Sequence, residues 1–340
     1  MIIRARSPLR LGLAGGGTDV SPYSDLYGGA ILNATISRFA YATIEPRDDD
    51  YIVLNAIDRD EKIVLPWADQ LTIDGNLDLL KGVYNRVVKQ FKTETGGFKL
   101  TTHVDAPPGS GLGSSSTLVV SILGAFVEWL KLPLGEYDIA HLAYEIERND
   151  LGMAGGKQDQ YAATFGGFNY MEFFGDDNVI VNPLRVKNEY LHELESCLLL
   201  YFTETSRLSS KIIEAQSENV KEKKTTSIEA MHKLKDQARR MKEVILKGEI
   251  DAIGEILDFG WRFKKQMASG ISNPLLDDIY ETALKAGATG GKVSGAGGGG
   301  FMTFYCPANT KHTVAAALER FGGGEKKFNF AQSGLTTWTI

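Results

Sequence analysis

The sequence predicts an α+β protein built from two packed units. Its 340 residues are too many for one small core and suit two closely packed domains. The first half opens with short strand-like runs between glycine and aspartate turns, and a long apolar helix follows. Near residues 185–196 the pattern changes, and Cys197–Thr203 is typical of a buried strand that opens a second unit. We therefore predict a first domain over residues 1–190 and a second over residues 191–340.

Local patterns predict the elements of the first domain. Runs rich in β-branched and aromatic residues predict strands over Ala30–Ile36, Phe39–Glu45, Tyr51–Asn55 and Gly97–Val104. Ser114–Leu130 is apolar on nearly every side, which predicts a helix buried between other elements. Two further helices are predicted, over Gly135–Asn149 and from about Lys157 onward.

The second domain is predicted to mix long helices with a short sheet. Ile212–Lys247 is charged with apolar residues at helical spacing, so its lysines are most simply the solvated faces of helices. The patterns further along predict a helix over Leu275–Ala286, a loop over Gly287–Gly300, a strand over Phe301–Tyr305 and a helix over Val314–Phe321.

Composition and charge narrow the class of partner. Hydrophobic residues make up 43% and charged residues 24% of the chain, the ordinary balance of a folded globular protein. The formal net charge of -6 argues against nucleic acid as the main partner. An anionic ligand would have to be attracted by local backbone amides and a few placed cations rather than by a global positive field.

Cysteine usage and the hydropathy pattern predict a cytoplasmic protein with no membrane partner. Cys197 and Cys306 stand far apart in apolar runs, so we expect buried thiols rather than a disulfide or a metal pair. Met1–Arg10 lacks an apolar core, and the longest apolar stretch, Leu118–Leu130, contains Glu128 and is too short to span a bilayer. The oligomeric state is left open, with a homodimer among the alternatives.

The strongest local signal is a glycine and serine stretch between a predicted strand and the buried helix. Glycines let the backbone approach a ligand, and the free N–H groups of a first helical turn attract phosphate oxygens. Serine hydroxyls add donors and a ligand for Mg²⁺. A helix entry with a good N-cap explains the same residues without a ligand. The candidate phosphate-binding residues are Pro108, Gly109, Ser110, Gly111, Leu112, Gly113, Ser114, Ser115 and Ser116.

Other nucleotide motifs do not fit. A dinucleotide fingerprint needs a strand directly before its glycines, and Pro107-Pro108 breaks that context. The P-loop pattern is absent, because Gly156-Lys157 and Gly291-Lys292 lack the upstream glycine and the following hydroxyl. Asp258-Phe259-Gly260 spells the metal-binding triplet of protein kinases, but it lies in a helical pattern without the partner motif, and we treat it as chance.

Two more glycine stretches suggest close backbone approach to a ligand. Arg10–Asp19 carries three successive glycines between one cation and one anion, which suits a polar, hydroxyl-rich ligand. A tight turn with a surface ion pair is the alternative. Lys292–Gly300 ends in four successive glycines, whose cost in chain entropy requires a structural or functional reason.

Taken in order, these three stretches resemble the GHMP superfamily, named for galactokinase, homoserine kinase, mevalonate kinase and phosphomevalonate kinase. The resemblance runs from about Arg4 to Phe301. Within it, Arg10–Asp19, Gly155–Ala163 and Gly166–Asn169 are most similar to bacterial D-glycero-D-manno-heptose 7-phosphate kinases, although fucose-type kinases share much of the same pattern. The resemblance implies an N-terminal domain akin to ribosomal protein S5 domain 2, a ferredoxin-like C-terminal domain, and an active site between them.

The resemblance also implies roles for individual residues. Asp159 matches the catalytic aspartate that orients and deprotonates the acceptor hydroxyl, and Arg10 lies near that hydroxyl. Glu147 and Ser115 match the Mg²⁺ ligands of the family. A helix dipole contact for Asp159 and a helix ion pair between Glu147 and Arg148 are the purely structural alternatives. The glycine loop that would support the site comprises Gly295, Ala296, Gly297 and Gly298.

Sugar recognition is expected in the second glycine stretch and at a separate cation. Galactokinase carries an acid and a histidine where this sequence has Gly16 and Gly17, which makes galactose a poor candidate. A second dianion beside ATP needs a local cation, since charged hydrogen bonds to phosphate are strong. The candidate sugar-binding residues are Gly16, Gly17, Thr18, Asp19, Lys157 and Arg207.

The resemblance therefore implies an enzyme that uses ATP and Mg²⁺ to phosphorylate the anomeric hydroxyl of D-glycero-D-manno-heptose 7-phosphate. A fucokinase-like or other sugar-1-kinase acting on an unphosphorylated sugar is the alternative enzyme. A non-catalytic sugar or nucleotide sensor with the same fold is the alternative from another class, and the presence of Asp159, Glu147, Ser115 and Arg10 argues against it.

Overall fold

The computed structural model describes residues 1–205 and 209–340. The strands in this part of the chain are β1 (Ile3–Ala14), β2 (Gly29–Pro46), β3 (Tyr51–Ala56), β4 (Glu61–Pro66), β5 (Phe98–Val104), β6 (Phe168–Phe173), β7 (Val179–Pro183), β8 (Leu198–Phe202), β9 (Gly290–Val293), β10 (Phe301–Tyr305), β11 (Gly324–Glu325) and β12 (Thr336–Thr339).

Helices lie between these strands and cover the sheets. They are α1 (Tyr23–Tyr27), α2 (Asp78–Phe91), α3 (Ser114–Leu130), α4 (Glu136–Glu145), α5 (Gln158–Phe165), α6 (Asn188–Cys197), α7 (Ser209–Lys221), α8 (Thr225–Lys247), α9 (Ile253–Lys264), α10 (Pro274–Lys285) and α11 (Lys311–Leu318). Short 3-10 turns are found at Ile57–Arg59, Ile250–Ala252 and Glu319–Phe321. A π-helical turn, Ile146–Asp150, continues α4.

The first sheet forms the body of the N-terminal domain. Its main path runs β12-β1-β2-β5-β3-β4. Strand β6 pairs with the N-terminal part of β2, and β7 pairs with β6. Pairing is antiparallel except between β3 and β5. The two strands predicted over Ala30–Ile36 and Phe39–Glu45 are one continuous strand, β2, whose register with β1 shifts between Pro8 and Arg10 and again between Gly12 and Ala14. A bulge of this kind bends a long strand without ending it.

A smaller antiparallel sheet, β11-β8-β10-β9, forms the second domain. The division predicted at residues 190 and 191 falls inside α6, just before β8. The C-terminal segment departs from the prediction, because β12 pairs with β1 of the first sheet, from Ile3 opposite Thr339 to Arg6 opposite Thr336. Residues 336–339 therefore belong to the first domain, where they cover an otherwise open edge.

Helix α3 is the central helix of the first domain, with the predicted bounds. Its residues from Ser116 to Phe126 are buried on all sides except at Leu118. Gly124 permits this packing, since a Cβ there would come within 2.5 Å of a methyl group of Leu335. The helix is thus fixed between the sheet and the returning C-terminal segment, and its first turn is held at the cleft between the domains.

A continuous core joins the domains. Leu32 and Ala34 of β2 pack in one cluster with Met241 and Ile245 of α8. Cys197 and Cys306 are free, buried thiols as predicted, although they are neighbours in space, because the Cys306 N–H donates to the Cys197 carbonyl at 2.8 Å. Within the described residues, none of the helices combines the length and the apolar character that crossing a membrane requires.

Candidate active site

A cavity of about 460 Å³ lies between the two domains, where the three glycine stretches meet. The first strand and its turn, the start of α3, the π-helical turn and the start of α5 supply one side. Helices α7 and α9 and the loop before β10 supply the other. Predicted site residues that line the cavity are Arg10, Gly17, Asp19, Gly109, Gly111, Gly113, Ser114, Ser115, Ser116, Glu147, Asp159, Gly295 and Ala296.

The loop before α3 turns its carbonyls toward protein donors. The Phe301 N–H donates to the Ser110 carbonyl at 3.0 Å, and the Arg10 N–H donates to the Leu112 carbonyl at 3.1 Å. The Arg10 guanidinium donates to the Gly111 carbonyl at 2.6 Å. In a trans peptide the N–H points opposite to the carbonyl. The N–H groups of residues 111–113 therefore point away from these donors.

The loop conformation depends on glycine at alternate positions. Gly109, Gly111 and Gly113 have φ angles of 71°, 81° and 78°, in the left-handed region. Gly113 is the N-cap of α3 and has no side chain to bond the first-turn N–H groups. Ser114, Ser115 and Ser116 line the cavity, so this first turn is placed where its N–H groups could bind an anion. Leu112 is buried in the core and contributes only backbone, and Pro108 lines a separate surface depression.

The loop before β10 packs backbone to backbone against the α3 loop. A Cβ on Gly295, whose φ is +67°, would lie 2.7 Å from the Gly111 Cα, and a Cβ on Gly300 would lie 2.5 Å from the Ser110 carbonyl oxygen. Gly297 and Gly298 lie against Ile271, to which the Gly298 N–H donates at 2.9 Å. This contact between loops supplies the structural reason for the glycine run that the sequence left open.

Arg10 and Asp159 form the central ion pair of the cavity. Arg10 Nε donates to Asp159 Oδ1 at 2.7 Å, and Nη2 lies 2.6 Å from the same oxygen. Arg10 is buried, next to the bulge between β1 and β2, whereas the side chain of Asp159 is 23% exposed, toward the cavity. The two residues predicted to be catalytic are thus in direct contact.

Asp19 lies at the N-terminus of α5. Its Oδ2 accepts a hydrogen bond of 3.1 Å from the Gln158 N–H, as a carboxylate at a helix N-terminus commonly does. Burial raises the pKa of Asp19, and the bond from Gln158 opposes that shift. A side chain on Gly156 would collide with the Asp19 carboxylate, which explains a glycine there. Thr18 is buried and does not line the cavity, and its hydroxyl lies 2.9 Å from the Gly15 carbonyl and 3.0 Å from the Ala30 carbonyl, to one of which it donates.

Glu147 is buried in the π-helical turn. Its carboxylate accepts from the Gln160 amide, which also donates to the Ser116 hydroxyl at 3.2 Å. Burial raises the pKa of Glu147, while the nearby Arg148 guanidinium, at 3.8 Å, opposes the rise. Ser115 and Glu147 line the same cavity, so the predicted metal ligands share one space. Among the described residues no group of three His, Cys, Asp or Glu side chains could hold a metal by itself.

Lys157 was expected to face the cavity, but it does not line it. Its ammonium lies 2.9 Å from Asp177 and 3.2 Å from Asp25, and it is absent from the cavity lining. It stands two residues before Asp159, at the N-cap position of α5. Because the Lys157 ammonium is paired with these two carboxylates, the structure does not support Lys157 as a ligand of the substrate phosphate. Arg207, the other candidate cation, lies outside the described residues.

Two cavity residues were missed by the sequence analysis. Lys264, near the end of α9, is 3% exposed, and its ammonium donates to the Gly16 carbonyl at 3.3 Å. Gln216 of α7 is 1% exposed, and its amide nitrogen has no hydrogen-bond partner in the described residues. For Lys264, helical spacing was the signal in the sequence that could have identified it. It lies on the same buried face of α9 as five other residues, Ile253, Ile256, Leu257, Gly260 and Trp261.

Comparison with known proteins places the chain in a family. Residues 78–167 match the GHMP kinases N terminal domain, and residues 241–323 match the GHMP kinases C terminal domain. A D-glycero-alpha-D-manno-heptose 7-phosphate kinase of Campylobacter jejuni is 48% identical over 338 residues, 99% of each chain. The chain belongs to the GHMP kinases. The α+β fold with two GHMP kinase domains is therefore confirmed.

Further GHMP kinases show how far the similarity extends. The crystal structure of a D-glycero-D-manno-heptose 1-phosphate kinase from Bacteriodes thetaiotaomicron is 48% identical, covers 99% of both chains and has a TM-score of 0.86. An L-fucokinase/L-fucose-1-P guanylyltransferase of Bacteroides fragilis is 28% identical over 88% of this chain and 34% of that protein. The N-terminal family match includes Glu147 and Asp159, and the C-terminal match includes Lys264 and Gly295.

Proposed function

We propose that this GHMP kinase transfers the γ-phosphoryl group of ATP to the anomeric hydroxyl of D-glycero-D-manno-heptose 7-phosphate. The observation that carries the proposal is the 48% identity over 99% of both chains to a heptose 7-phosphate kinase. The site geometry supports it, because a carboxylate oriented by an arginine faces a helix N-terminus across one cavity. The heptose phosphate kinases compared above differ in the phosphate that their names state, and we take the sugar already phosphorylated at O7 as the acceptor.

Asp159 acts on the acceptor. Arg10 holds Oδ1, and Oδ2 remains available to accept the proton of the anomeric hydroxyl as its oxygen attacks the γ-phosphorus. The bond between the γ-phosphorus and the bridging oxygen breaks, and ADP leaves. Arg10 adds positive charge beside the transferring group, and placement of the two substrates supplies much of the rate.

The first turn of α3 and its glycine loop hold the phosphates. The loop N–H groups at residues 111–113 and those of the first helical turn offer donors that no carbonyl of the described residues occupies. The partial positive charge of the helix N-terminus favours an anion in this position. The loop before β10 fixes this conformation through its close contact at Gly111.

The donor set of the cavity suits Mg²⁺. Glu147 and Ser115 offer a carboxylate and a hydroxyl oxygen, the hard ligands that this ion prefers, and a nucleotide site commonly adds phosphate and water. Glu147 is a buried carboxylate with a raised pKa, and among the described residues its counter-charge is the Arg148 guanidinium at 3.8 Å, which fits a position that a cation completes. When bound, the ion would neutralise charge on the transferring phosphoryl group.

Two alternatives are less well supported. A fucokinase-like activity is not favoured, because the fucokinase relative is 28% identical whereas the heptose 7-phosphate kinase is 48% identical over nearly the whole chain. A non-catalytic sensor would not need the ion pair between Arg10 and Asp159 beside a free helix N-terminus. A cytoplasmic location fits the reaction, since ATP is supplied there and the free thiols Cys197 and Cys306 suit a reducing compartment.

The proposal is tested by ADP release with a panel of acceptors. Purified protein, ATP and Mg²⁺ are combined with heptose 7-phosphate, free heptose, mannose, fucose or galactose. We expect heptose 7-phosphate to give the highest kcat/KM, with a product that carries two phosphate monoesters in its phosphorus NMR spectrum. Preference for free fucose would support the fucokinase alternative, and no ADP release with any sugar would support the sensor.

A further inference from the structure

We propose that Lys264 and Gln216, both from the C-terminal domain, bind the phosphate at the far end of the acceptor sugar. The inference rests on the proposed function and deepens it, because it names the residues that distinguish a sugar phosphate from a free sugar. The sequence analysis did not include either residue among the candidates for the site. The contacts that surround them in the cavity support the assignment.

Lys264 is a buried cation without a carboxylate partner in the described part of the chain. Its ammonium donates to the Gly16 carbonyl at a long 3.3 Å, and its side chain lines the cavity. The Asp19 carboxylate acts on this ammonium only from beyond ion-pair distance. A buried charge that forms no direct ion pair is costly, so its position in the cavity indicates a ligand of opposite sign. Burial lowers the pKa of Lys264 to about 8, which leaves it mostly protonated at neutral pH.

Gln216 supplies a second, independent donor next to this cation. Its amide nitrogen is buried without a hydrogen-bond partner in the described residues, and Gln216 lines the same cavity. Its amide oxygen lies 3.4 Å from the position that a Cβ would take on Gly17, and Lys264 Nζ lies 3.4 Å from the equivalent position on Gly16. The two side chains therefore lie against consecutive residues of one turn.

The cation lies on the acceptor side of the site. Gly113 lies against the Asp159 carboxylate at the start of α3. The Asp19 carboxylate is close by, because it accepts from the N–H of Gln158, the residue before Asp159. The turn of Gly16 and Gly17 comes next, with Lys264 and Gln216 against it. A sugar with its reacting hydroxyl at Asp159 and its other hydroxyls at Asp19 would direct its distal group toward Lys264.

Other cations that line the cavity are already engaged. Arg10 pairs with Asp159. Arg148 donates to the Met153 and Gly156 carbonyls, both at 3.2 Å, and lies beside Glu147. Lys264 thus remains, among the described residues of the lining, the cation that a substrate phosphate would pair with. Lys292 stands behind it and donates to the Gly12 carbonyl at 2.6 Å.

The test compares Lys264→Met with wild type on heptose 7-phosphate and free heptose at saturating ATP. We expect kcat/KM for the phosphorylated sugar to fall about 10- to 100-fold, since hydrogen bonds to charged groups contribute that much. The value for free heptose and the KM for ATP should change little. Lys264→Arg should restore part of the preference. Lys265→Met is the matched control, because Lys265 is an exposed neighbour paired with Asp277.

Gln216→Glu provides a second, nearly isosteric variant. A carboxylate beside Lys264 would compete with the phosphate, so the preference for the phosphorylated sugar should fall while the protein stays folded. Equal losses on both sugars in Lys264→Met would overturn the inference. So would a rise in the ATP KM with an unchanged sugar preference, which would assign Lys264 to the nucleotide.

Failure of the proposed function gives a different result. If wild type releases no ADP with heptose 7-phosphate, that activity is wrong, and binding of the same sugar phosphate is measured by calorimetry without ATP. Binding by wild type that Lys264→Met abolishes would still support the phosphate site. Absence of binding by wild type, or equal binding by both proteins, would overturn it.

Discussion

Two nitrogen atoms of Arg10 reach one oxygen of Asp159, Nε at 2.7 Å and Nη2 at 2.6 Å. The third guanidinium nitrogen donates to the Gly111 carbonyl at 2.6 Å. One side chain therefore sets the orientation of the carboxylate and fixes the loop that precedes α3. The free oxygen of Asp159 and the loop N–H groups are held in a defined relation, as a transfer between two substrates requires.

Asp159→Asn is expected to lower turnover far more than it lowers ATP affinity. The amide keeps the shape of the side chain but cannot accept the hydroxyl proton, and general-base catalysis contributes about 10²- to 10⁴-fold. Steady-state kinetics with heptose 7-phosphate and nucleotide binding by calorimetry measure the two quantities. Asp278→Asn, an exposed carboxylate of α10, is the control. Near-native turnover in Asp159→Asn would remove Asp159 from the catalytic role.

Glu147→Gln and Ser115→Ala are expected to raise the Mg²⁺ concentration for half-maximal rate, by about 10-fold or more, since each weakens an oxygen ligand. Ser116→Ala is the control that distinguishes a metal ligand from a supporting residue. The Ser116 hydroxyl accepts a hydrogen bond from Gln160, so its loss should shift the Mg²⁺ dependence less than the loss of the Ser115 hydroxyl. The measurement is initial rate against free Mg²⁺ at fixed ATP. An unchanged dependence in both Glu147→Gln and Ser115→Ala would contradict the assignment.

Gly295→Ala should destabilise the fold through the contact between the two glycine loops. The backbone at Gly295 has a φ of +67°, and the new Cβ would meet the Gly111 Cα at 2.7 Å. Backbone strain of this kind costs about 1–3 kcal/mol, and displacement of the α3 loop should also raise the KM for ATP. Gly324→Ala is the matched control, since no atom of the described residues lies within 4 Å of the added methyl. Equal urea midpoints for the two variants would refute the packing argument.

Lys264→Met is expected to stabilise the ligand-free protein at neutral pH. Burial lowers the pKa of Lys264 from 10.5 to about 8, with Arg10 adding repulsion and Asp19 opposing. Between those pH values the unfolded chain holds a proton that the folded chain has lost, so wild-type stability rises with pH across that window. The penalty is complete below pH 8 and amounts to about 3 kcal/mol.

Urea unfolding at pH 7 and at pH 10 measures this difference. The advantage of Lys264→Met over wild type should shrink as the pH rises, and Lys265→Met should show no such trend. A variant that is less stable than wild type by the same amount at both pH values would contradict the expected linkage.

Local patterns allowed correct prediction of some elements because their cause is local. The helix Ser114–Leu130 and the strand Phe301–Tyr305 have the predicted bounds, since each is specified by its own apolar residues. The glycine stretches also indicated a shared site. The contact of Gly295 with Gly111 was not predictable, because it joins residues far apart in sequence and involves no side chain.

The cation of the site was predicted incorrectly, because closeness in sequence was used as the criterion. Lys157 was chosen for its closeness to Asp159 in sequence, but residues two apart at a helix start do not face the same way. Lys264 is distant in sequence, yet it stands on the buried face of α9. A charged residue in an apolar stripe was the informative signal, and sequence spacing to the catalytic residue was not.

The pairing of β12 with β1 has a consequence for synthesis of the protein. The sheet that begins with Ile3 receives Thr336–Thr339 only after the whole second domain has left the ribosome. Until then the nascent chain presents the outer edge of β1, a row of backbone groups able to pair with a strand from another chain. Slow release of residues 336–339, or their removal by a protease, would therefore favour aggregation in a way that no property of the active site would reveal.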